Sequence, residues 1–246
     1  IQGKRAYGSN DTAETEAAVI ARKMERIRRN MDITMEVGRF STLTTLNLYA
    51  PNGTIVGNLA TDFGITQKSV DFVLGTAGTD VVAKAEEVIA HAQDNANTGD
   101  VITGIIGYCS PEWFAKLIAH AKIQTAYQYF SATEGQMIQR NRAGGNNGLY
   151  REFQYGGIRF IEVRTVLVGQ RLVAVKECLF VPVGTQDVFV TYFGPANKFD
   201  FVNTIAEPGY MWTYRDPKGE RIDIDAETNF VNVVRRPQLV IKGTTP

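Results

Sequence analysis

The longest stretch of this chain with one uninterrupted period is Asn10–Arg39, NDTAETEAAVIARKMERIRRNMDITMEVGR. Apolar side chains recur in it every three or four residues, and charged side chains fill most of the positions between them. This period predicts a helix with one buried face. Such a helix would span roughly 45 Å at 1.5 Å per residue, which makes it the expected spine of the fold. The apolar face consists of Ala17, Ile20, Met24, Ile27 and Met31.

Residues with helix-boundary preferences mark the start of this helix. The side-chain oxygens of Ser9–Asp11 can accept hydrogen bonds from free backbone N–H groups, and Glu14 can reach back to complete a capping box. After this cap no glycine occurs until Gly38. We therefore expect the helix to run unbroken to about Arg39.

Length and charge limit the classes of protein that fit. The chain has 246 residues, enough for one large domain or two smaller ones with a sizeable core. Its 26 Lys and Arg residues balance 26 Asp and Glu residues, so no net field attracts it to nucleic acid or to a membrane surface. A neutral chain is also weakly protected against self-association, which suits a protein whose purpose is association.

Cysteine content and hydropathy indicate the compartment. Cys109 and Cys178 both lie in apolar sequence, which predicts buried reduced thiols rather than a disulfide framework and favours a cytoplasmic location. No apolar run reaches the about 18 residues of a membrane-spanning helix, and the first residues lack the pattern of a signal peptide. Because the chain begins at Ile1 rather than Met, we expect a processed product, a fragment or the ordered part of a longer protein.

Helix and strand patterns alternate through the rest of the chain, which favours a mixed α/β arrangement. Ala50-Pro51-Asn52-Gly53 predicts the turn of one hairpin, and Gly156-Gly157 predicts the turn of another. Ser110-Pro111 predicts a helix with serine as its N-cap and proline at its first position. The expected β-rich segments are Leu43–Tyr49, Thr54–Leu59, Val70–Leu74, Val101–Tyr108, Val173–Val181, Val188–Phe193, Tyr210–Arg215 and Ile222–Val234, and further helices are expected at Asp80–Ala96 and Gln124–Phe130.

One internal segment, residues 131–149, has few apolar side chains. Within it, residues 140–148 have the sequence RNRAGGNNG. Such a composition cannot hold a regular element cheaply, because glycine loses more backbone freedom on ordering than any other residue. We therefore expect an exposed, mobile loop here.

The sequence contains no convincing catalytic site. His91 and His120 fall in predicted helices, without a carboxylate or cysteine at metal-ligand spacing. Ser110 is explained by its position as a helix cap, and no base can be nominated to make it a nucleophile. We therefore expect no catalytic residue, no bound metal and no cofactor.

Two charged patterns could bind ions or phosphates but have simpler explanations. Asp223 and Asp225 alternate on one face of a predicted strand and could hold a cation, yet a solvated strand face produces this pattern more often. The basic cluster Arg22–Arg29 could contact a phosphate backbone. However, Glu25 interrupts this cluster, which lies on an amphipathic helix. We interpret both patterns as solvent-exposed faces.

Two sets of short motifs occur in a defined order along the chain. The C-terminal set is Phe180-Val181-Pro182-Val183-Gly184-Thr185, Tyr192-Phe193-Gly194-Pro195-Ala196, Val202-Asn203-Thr204, Thr228-Asn229 and Arg236-Pro237. The N-terminal set is Ile1-Gln2-Gly3, Arg5-Ala6-Tyr7-Gly8, Ala21-Arg22-Lys23, Arg28-Arg29 and Asp62-Phe63-Gly64-Ile65-Thr66. In order and spacing these motifs resemble those of the lambda-type major capsid proteins of tailed bacteriophages, the major capsid protein E family. No single motif is specific, but several in this order are, and the resemblance covers essentially the whole chain.

The resemblance implies an α+β protein with the tailed-phage major capsid fold, the Hong Kong ninety-seven fold. That fold combines a long spine helix, a peripheral domain and an axial domain. By resemblance, residues 1–60 belong to the peripheral domain with the spine helix, residues 61–194 form the axial domain, and residues 195–246 are return strands of the peripheral domain. The family's N-terminal arm and most of its extended loop precede the residues that match Ile1, and we expect them to be missing from this sequence.

The resemblance also implies a function. We expect a structural subunit of a phage or prophage head, without catalysis, that self-assembles into an icosahedral shell of hexamers and pentamers around double-stranded DNA. Scaffolding proteins, decoration proteins and a portal are expected partners, with non-specific contact to the enclosed DNA and no membrane. The protein is expected in the virion, after assembly in the cytoplasm of the bacterial host.

The glycine-rich loop is, by resemblance, a candidate for a tip at a capsomere axis. Some capsids of this fold cross-link neighbouring subunits through a lysine and an asparagine, for which Lys4 and Asn229 would be the candidates here. We expect no such bond, because lambda-like members rely on separate decoration proteins. The candidate residues of the capsomere-axis loop are Arg140, Arg142, Gly144, Gly145, Asn146, Asn147 and Gly148.

Two alternative functions stay open at this level. The same fold could form the shell of a compartment that encloses cargo, because a fold alone does not decide function. The chain could also be an α/β enzyme of unknown reaction. An enzyme would require a concave pocket lined by perturbed titratable groups, and the sequence offers no such constellation.

Overall fold

The computed structural model describes residues 15–96, 101–128, 141–143, 150–167 and 169–246. Over these residues the protein combines a long helix, shorter helices, one seven-stranded sheet and several two-stranded pairs. The expected α+β class is therefore confirmed.

Helix α1, Glu16–Thr45, contains 30 residues and confirms the predicted long helix. The backbone N–H of Ala18 donates to Oγ1 of Thr15 at 3.4 Å, so Thr15 caps the first turn. The cap predicted at Ser9–Asp11 lies outside the described residues. The predicted apolar face is confirmed except at its first residue, which is exposed, and its half-buried members are Ile20, Met24, Ile27 and Met31.

The end of α1 lies six residues beyond the predicted one, at Thr45 instead of Arg39. The chain leaves the helix at Leu46, which adopts φ +57° while its N–H donates to the carbonyl oxygen of Thr42 at 2.8 Å. Helices usually end in this left-handed conformation at a glycine. Leu46 is 1% exposed, so burial of its side chain compensates the backbone strain.

The first predicted hairpin is confirmed, with β1, Asn47–Tyr49, antiparallel to β2, Ile55–Asn58. Gly53 in the connecting turn has φ +84°, the conformation expected of glycine there. The strand predicted over Leu43–Tyr49 is wrong in its first four residues, because α1 includes three of them and Leu46 leaves the helix before β1 begins. A short helix, α2, Leu59–Asp62, follows the hairpin.

The largest sheet contains β3 Ser69–Asp71, β4 Gly104–Cys109, β5 Asn141–Ala143, β6 Tyr150–Tyr155, β7 Ile158–Glu162, β10 Glu177–Val183 and β15 Ile241–Thr244. Its strand order is β3-β15-β10-β4-β7-β6-β5. The pairs β4–β7 and β3–β15 are parallel and the other pairs are antiparallel. A parallel pair requires a crossover connection, and helices α4, Pro111–Ala119, and α5, Ala121–Gln128, lie in the connection between β4 and β7.

The sheet confirms one predicted turn and corrects the bounds of one predicted strand. The hairpin predicted at Gly156-Gly157 is confirmed, and both glycines have positive φ, +56° and +77°. The strand predicted over Val173–Val181 instead begins at Glu177 and passes through Pro182. β15 pairs with β10 only up to Phe180, so the proline stands where one side of β10 has no strand neighbour and the missing N–H is tolerated.

Four aromatic side chains form the centre of the main core: Phe72, Trp113, Phe160 and Phe180. The rings of Phe72 and Phe180 stack with centroids 5.4 Å apart, and those of Trp113 and Phe160 stack at 5.6 Å. Helix α3, Val81–Asp94, confirms the helix predicted there and covers this core with Val81, Ala85, Val88 and Ala92.

A second buried cluster contains Leu46, Leu59, Leu179, Val234 and Val240. Leu179 belongs to this cluster, whereas its neighbours in β10, Cys178 and Phe180, belong to the main core. Because successive side chains of a strand point to opposite faces, β10 contributes to a core on each side.

The remaining strands form two-stranded pairs: β8 (Val166–Leu167) with β9 (Gln170–Arg171), β11 (Phe189–Phe193) with β14 (Phe230–Val234) and β12 (Tyr210–Arg215) with β13 (Ile222–Glu227). The β-rich segment predicted over Ile222–Val234 consists of two strands rather than one. Short 3₁₀ turns lie at Phe199–Phe201 and Pro237–Leu239.

Contacts divide the chain into two compact units, each built from segments distant in sequence. The described part of the first unit comprises residues 15–38, 50–54 and 191–231. The second unit comprises the remaining described residues and contains both buried clusters. The expected boundaries of peripheral and axial domains stay a prediction, because those domains are defined by position in a shell.

Candidate functional site

The candidate capsomere-axis loop is described only in part. Arg142 lies in strand β5, where its backbone is opposite Arg151 of β6. The expectation that no regular element occurs in this segment is therefore wrong at residues 141–143, because the edge of β6 offers backbone partners that satisfy them. The other candidate residues lie outside the described residues: Arg140, Gly144, Gly145, Asn146, Asn147 and Gly148.

A buried carboxylate lies on β7, two strands in from this edge of the sheet. Glu162, at the end of β7, is 1% exposed and accepts hydrogen bonds from Arg151 through both of its oxygens. Arg164 donates to the same carboxylate at 2.8 Å. Burial raises the pKa of the Glu162 carboxyl, but the two arginines outweigh this effect and hold the pKa below its usual range.

Arg151 connects this carboxylate to the helical layer. Its guanidinium carbon lies 5.2 Å from the ring centroid of Phe114 in α4, a cation–π distance. The hydrogen bond to Glu162 raises the pKa of Arg151. The cluster therefore ties the β6–β7 hairpin to the helix, and we assign it a structural role.

The side chains that the sequence analysis considered and rejected as catalytic have structural partners. Nε2 of His120 lies 3.0 Å from the carbonyl oxygen of Thr76, and Nε2 of His91 lies 3.2 Å from that of Gln238. Oγ of Ser110 accepts from the N–H of Trp113 at 3.3 Å, which confirms its capping role. Within the described residues no group of three or more His, Cys, Asp or Glu side chains could hold a metal ion.

The two cysteines face each other across strands β4 and β10. Their sulfur atoms are 3.1 Å apart, and both thiols are free and buried, which confirms that prediction. Burial raises the pKa of the Cys109 thiol well above its usual range. The Cys109 thiol therefore has little thiolate character and is a poor nucleophile.

The charged patterns lie on exposed faces, as predicted. Asp223 and Asp225 are both exposed on β13, and Asp223 pairs with Arg221 at 3.3 Å. On α1, Arg29 pairs with Glu25 at 3.4 Å on the helix surface.

Among the helices of the described residues, none combines the length and apolar character that crossing a membrane requires.

Asn229, the nominated cross-linking asparagine, is engaged within its own chain. Its side-chain amide donates to the carbonyl oxygen of Pro195 at 2.9 Å and to Oε1 of Glu227 at 2.7 Å. The same carboxylate oxygen accepts from the N–H of Asn197 at 2.9 Å. Asn229 thus fixes the start of the loop that follows Pro195. Lys4, the other candidate residue for the cross-link, lies outside the described residues.

An exposed apolar segment in this loop was missed by sequence reasoning. Residues 199–205, FDFVNTI, are called here the apolar loop. Phe199 is 98% exposed, Ile205 94% and Val202 63%. A shallow groove of about 350 Å³ is lined by residues 195–199 and 201–203. The only sequence signal was an apolar content that fits neither a helix period nor a strand period.

Comparison with known proteins identifies relatives along almost the entire chain. Residues 1–245 match the family described as "Phage major capsid protein E". The chain is 44% identical over 254 residues to the "Major capsid protein" of Pseudomonas phage KPP10, covering 99% of this chain and 72% of the relative. It is 30% identical over 265 residues to the "Major capsid protein" of Salmonella phage Felix O1, isolate Felix O1-VT1, covering 98% of this chain and 72% of the relative.

A solved structure is also similar. It is described as "Capsid structure of the Cyanophage P-SCSP1u" and gives a TM-score of 0.45 at 10% sequence identity. The alignment covers 96% of this chain and 67% of that chain.

Proposed function

Because this chain belongs to the phage major capsid protein E family and is a structural subunit of a phage head, we propose that its copies assemble into hexamers and pentamers. These close into an icosahedral shell around double-stranded DNA. The observation that carries the proposal is the family match over residues 1–245. The role of the protein is structural rather than enzymatic, and it is a component of the virion. The names of the relatives favour a phage head over a compartment that encloses cargo.

Physical features of the subunit support assembly from many copies. A shell repeats each subunit contact many times, so individually weak contacts are sufficient. The formal net charge is zero, so copies approach one another without net repulsion. The highly exposed Phe199 and Ile205 supply apolar surface that contact with a neighbour would remove from water.

We assign residues 1–60 and 195–246 to the peripheral domain of the shell subunit and residues 61–194 to the axial domain. We assign residues 140–148 to a capsomere axis, and their described part, residues 141–143, is the edge strand β5 of the sheet. Scaffolding proteins, decoration proteins and a portal act as partners, and contact with DNA is non-specific. Assembly takes place in the cytoplasm of the bacterial host.

Electron microscopy of the complete gene product, expressed and purified, tests this proposal. We expect closed shells in which five-fold and six-fold capsomeres are visible. Open sheets, tubes without five-fold vertices, or subunits that stay monomeric at high concentration would contradict it. Denaturing electrophoresis of the same particles checks covalent cross-linking, for which we expect one band at the monomer mass.

A further inference from the structure

The apolar loop is held by hydrogen bonds rather than left without structure. The N–H of Phe201 donates to the carbonyl oxygen of Lys198 at 3.0 Å, and the N–H of Thr204 donates to that of Phe201 at 3.2 Å. Oγ1 of Thr204 donates to the same Phe201 oxygen at 2.8 Å. With its base fixed by Asn229, the loop has a defined backbone before any partner binds.

An aromatic cluster anchors one side of this loop. The ring of Phe201 lies 5.0 Å from that of Tyr210 and 5.8 Å from that of Trp212, both edge to face. Nζ of Lys198 lies 3.5 Å from the centroid of Trp212. Phe201 therefore uses its ring to fix the loop, whereas Phe199, two residues earlier, has almost its entire side chain in water.

The exposed area is large for a single short loop. One aromatic side chain alone presents about 150–250 Å². Together with Val202 and Ile205, Phe199 brings the exposed apolar area into the range of about 300–600 Å² seen for the largest patches of ordinary monomers. Such a surface on a preformed backbone indicates a contact site, because a partner would not have to bear the entropy cost of ordering the loop when it binds.

From this geometry we infer that the apolar loop, residues 199–205, docks on a second copy of this chain and forms a subunit contact of the shell. The inference rests on the proposed function and specifies one of its contacts. Phe199, Val202 and Ile205 enter the interface, while Phe201 and Lys198 keep the loop in shape.

The exposed area of the apolar loop and the net charge of the chain favour a second copy as the partner that binds this loop. A standard interface buries about 800 Å² on each partner, so this patch supplies only part of what a stable dimer needs. The contact then forms only where further contacts between copies add to it, as they do in a shell. The chain carries no net charge, so copies meet without the repulsion that a strongly charged chain would experience.

Substitution tests the contact. The double variant Phe199→Asp/Ile205→Asp places charges in the interface, while Phe199→Leu/Ile205→Val keeps it apolar. We expect the aspartate variant to fold like wild type by near-ultraviolet circular dichroism but to need at least a tenfold higher concentration to form shells. The leucine–valine variant assembles at the wild-type concentration. Shell formation by the aspartate variant at the wild-type concentration overturns the inference, and so does equal impairment of both variants.

Thiol labelling of Ile205→Cys gives a second measurement that does not depend on assembly yield. Cys109 and Cys178 are buried, so the introduced thiol is the one that reacts quickly with a maleimide. We expect labelling to slow at least tenfold when purified subunits form shells. Equal labelling in both states, or protection that requires another head component, overturns docking on a second copy. If the wild-type protein forms no shell, the proposed function itself fails, and this inference fails with it.

Discussion

Gly243 and Gly104 belong to the same sheet, but only Gly243 lacks space for a side chain. A Cβ on Gly243 would lie 2.6 Å from Cε2 of Phe180. That ring is fully buried and packs against Phe72 and Trp113, so it has no room to turn away. A Cβ on Gly104 would meet nothing within 4 Å.

We therefore expect Gly243→Ala to lower the free energy of unfolding by about 1–3 kcal/mol, because overpacking displaces buried rings. The matched variant Gly104→Ala should change it by less than about 0.5 kcal/mol. Urea unfolding followed by tryptophan fluorescence measures both. Equal stability of the two variants would show that the Phe180 ring can move at little cost.

Glu162 is the residue where burial and charge oppose each other most directly. Its folded-state pKa is lowered, so the ionised carboxylate stabilises the fold at any pH above the unfolded value of about 4.3. This stabilisation is lost as pH falls through the lower folded-state pKa, because the protonated carboxyl no longer pairs with Arg151 and Arg164.

At pH 7 we expect Glu162→Gln to lower the free energy of unfolding by roughly 1–3 kcal/mol, because Arg151 and Arg164 lose a charged acceptor. Below about pH 4.3 the stability of wild type should fall more steeply than that of the variant. Denaturant unfolding across a pH series measures both slopes. The variant Glu220→Gln serves as the control, because Glu220 is exposed, and its stability should follow that of wild type at each pH. A Glu162→Gln curve parallel to wild type throughout would contradict the assignment.

At the scale of the element, side-chain oxygens cap the first turns of helices α1 to α4, and they belong to Thr15, Asn58, Asp80 and Ser110. Oδ1 of Asp80 accepts from the N–H groups of Val82 at 3.1 Å and Ala83 at 3.3 Å, which caps α3. Two mechanisms can make this residue favourable: the hydrogen bonds themselves and the attraction of a negative charge to the helix dipole.

We expect Asp80→Ala to cost about 1 kcal/mol of stability and Asp80→Asn to cost much less, since asparagine keeps the accepting oxygen. Thermal unfolding of the two variants beside wild type provides the measurement. If asparagine proves as harmful as alanine, the charge of Asp80 rather than its hydrogen bonds stabilises α3.

At the scale of the whole molecule, buried apolar surface is unevenly distributed. Both buried clusters lie in the unit that contains the seven-stranded sheet. In the other unit, strands β12 and β13 have mostly exposed or half-buried side chains. Local opening costs least where few apolar contacts are lost, so the two units should differ in local stability.

We expect amide hydrogens of β4 and β10 to exchange far more slowly than those of β12 and β13 in the isolated subunit. Hydrogen–deuterium exchange with mass spectrometry of peptides from each strand pair measures this difference. Similar protection in both pairs would show that the molecule opens as a single cooperative unit.

Local signals in the sequence were sufficient for several elements. The period of α1, the Ser110-Pro111 helix start and the Gly156-Gly157 turn were all predicted and are all present. Each depends on interactions within a few residues: side-chain spacing on a helix, capping of free N–H groups and the φ values open to glycine. The ordered family motifs likewise established the capsid family, because sequence similarity does not require coordinates.

Other features were decided only by tertiary structure. Leu46 ends α1 without glycine because the second buried cluster stabilises its side chain in a left-handed backbone. Phe199 and Phe201 share one short loop, yet only Phe201 meets an aromatic partner, Tyr210, contributed by a strand further along the chain. Period and propensity describe neighbours in sequence, whereas burial depends on which distant segments arrive at the same place. For that physical reason, the exposed apolar loop became visible only in the folded chain.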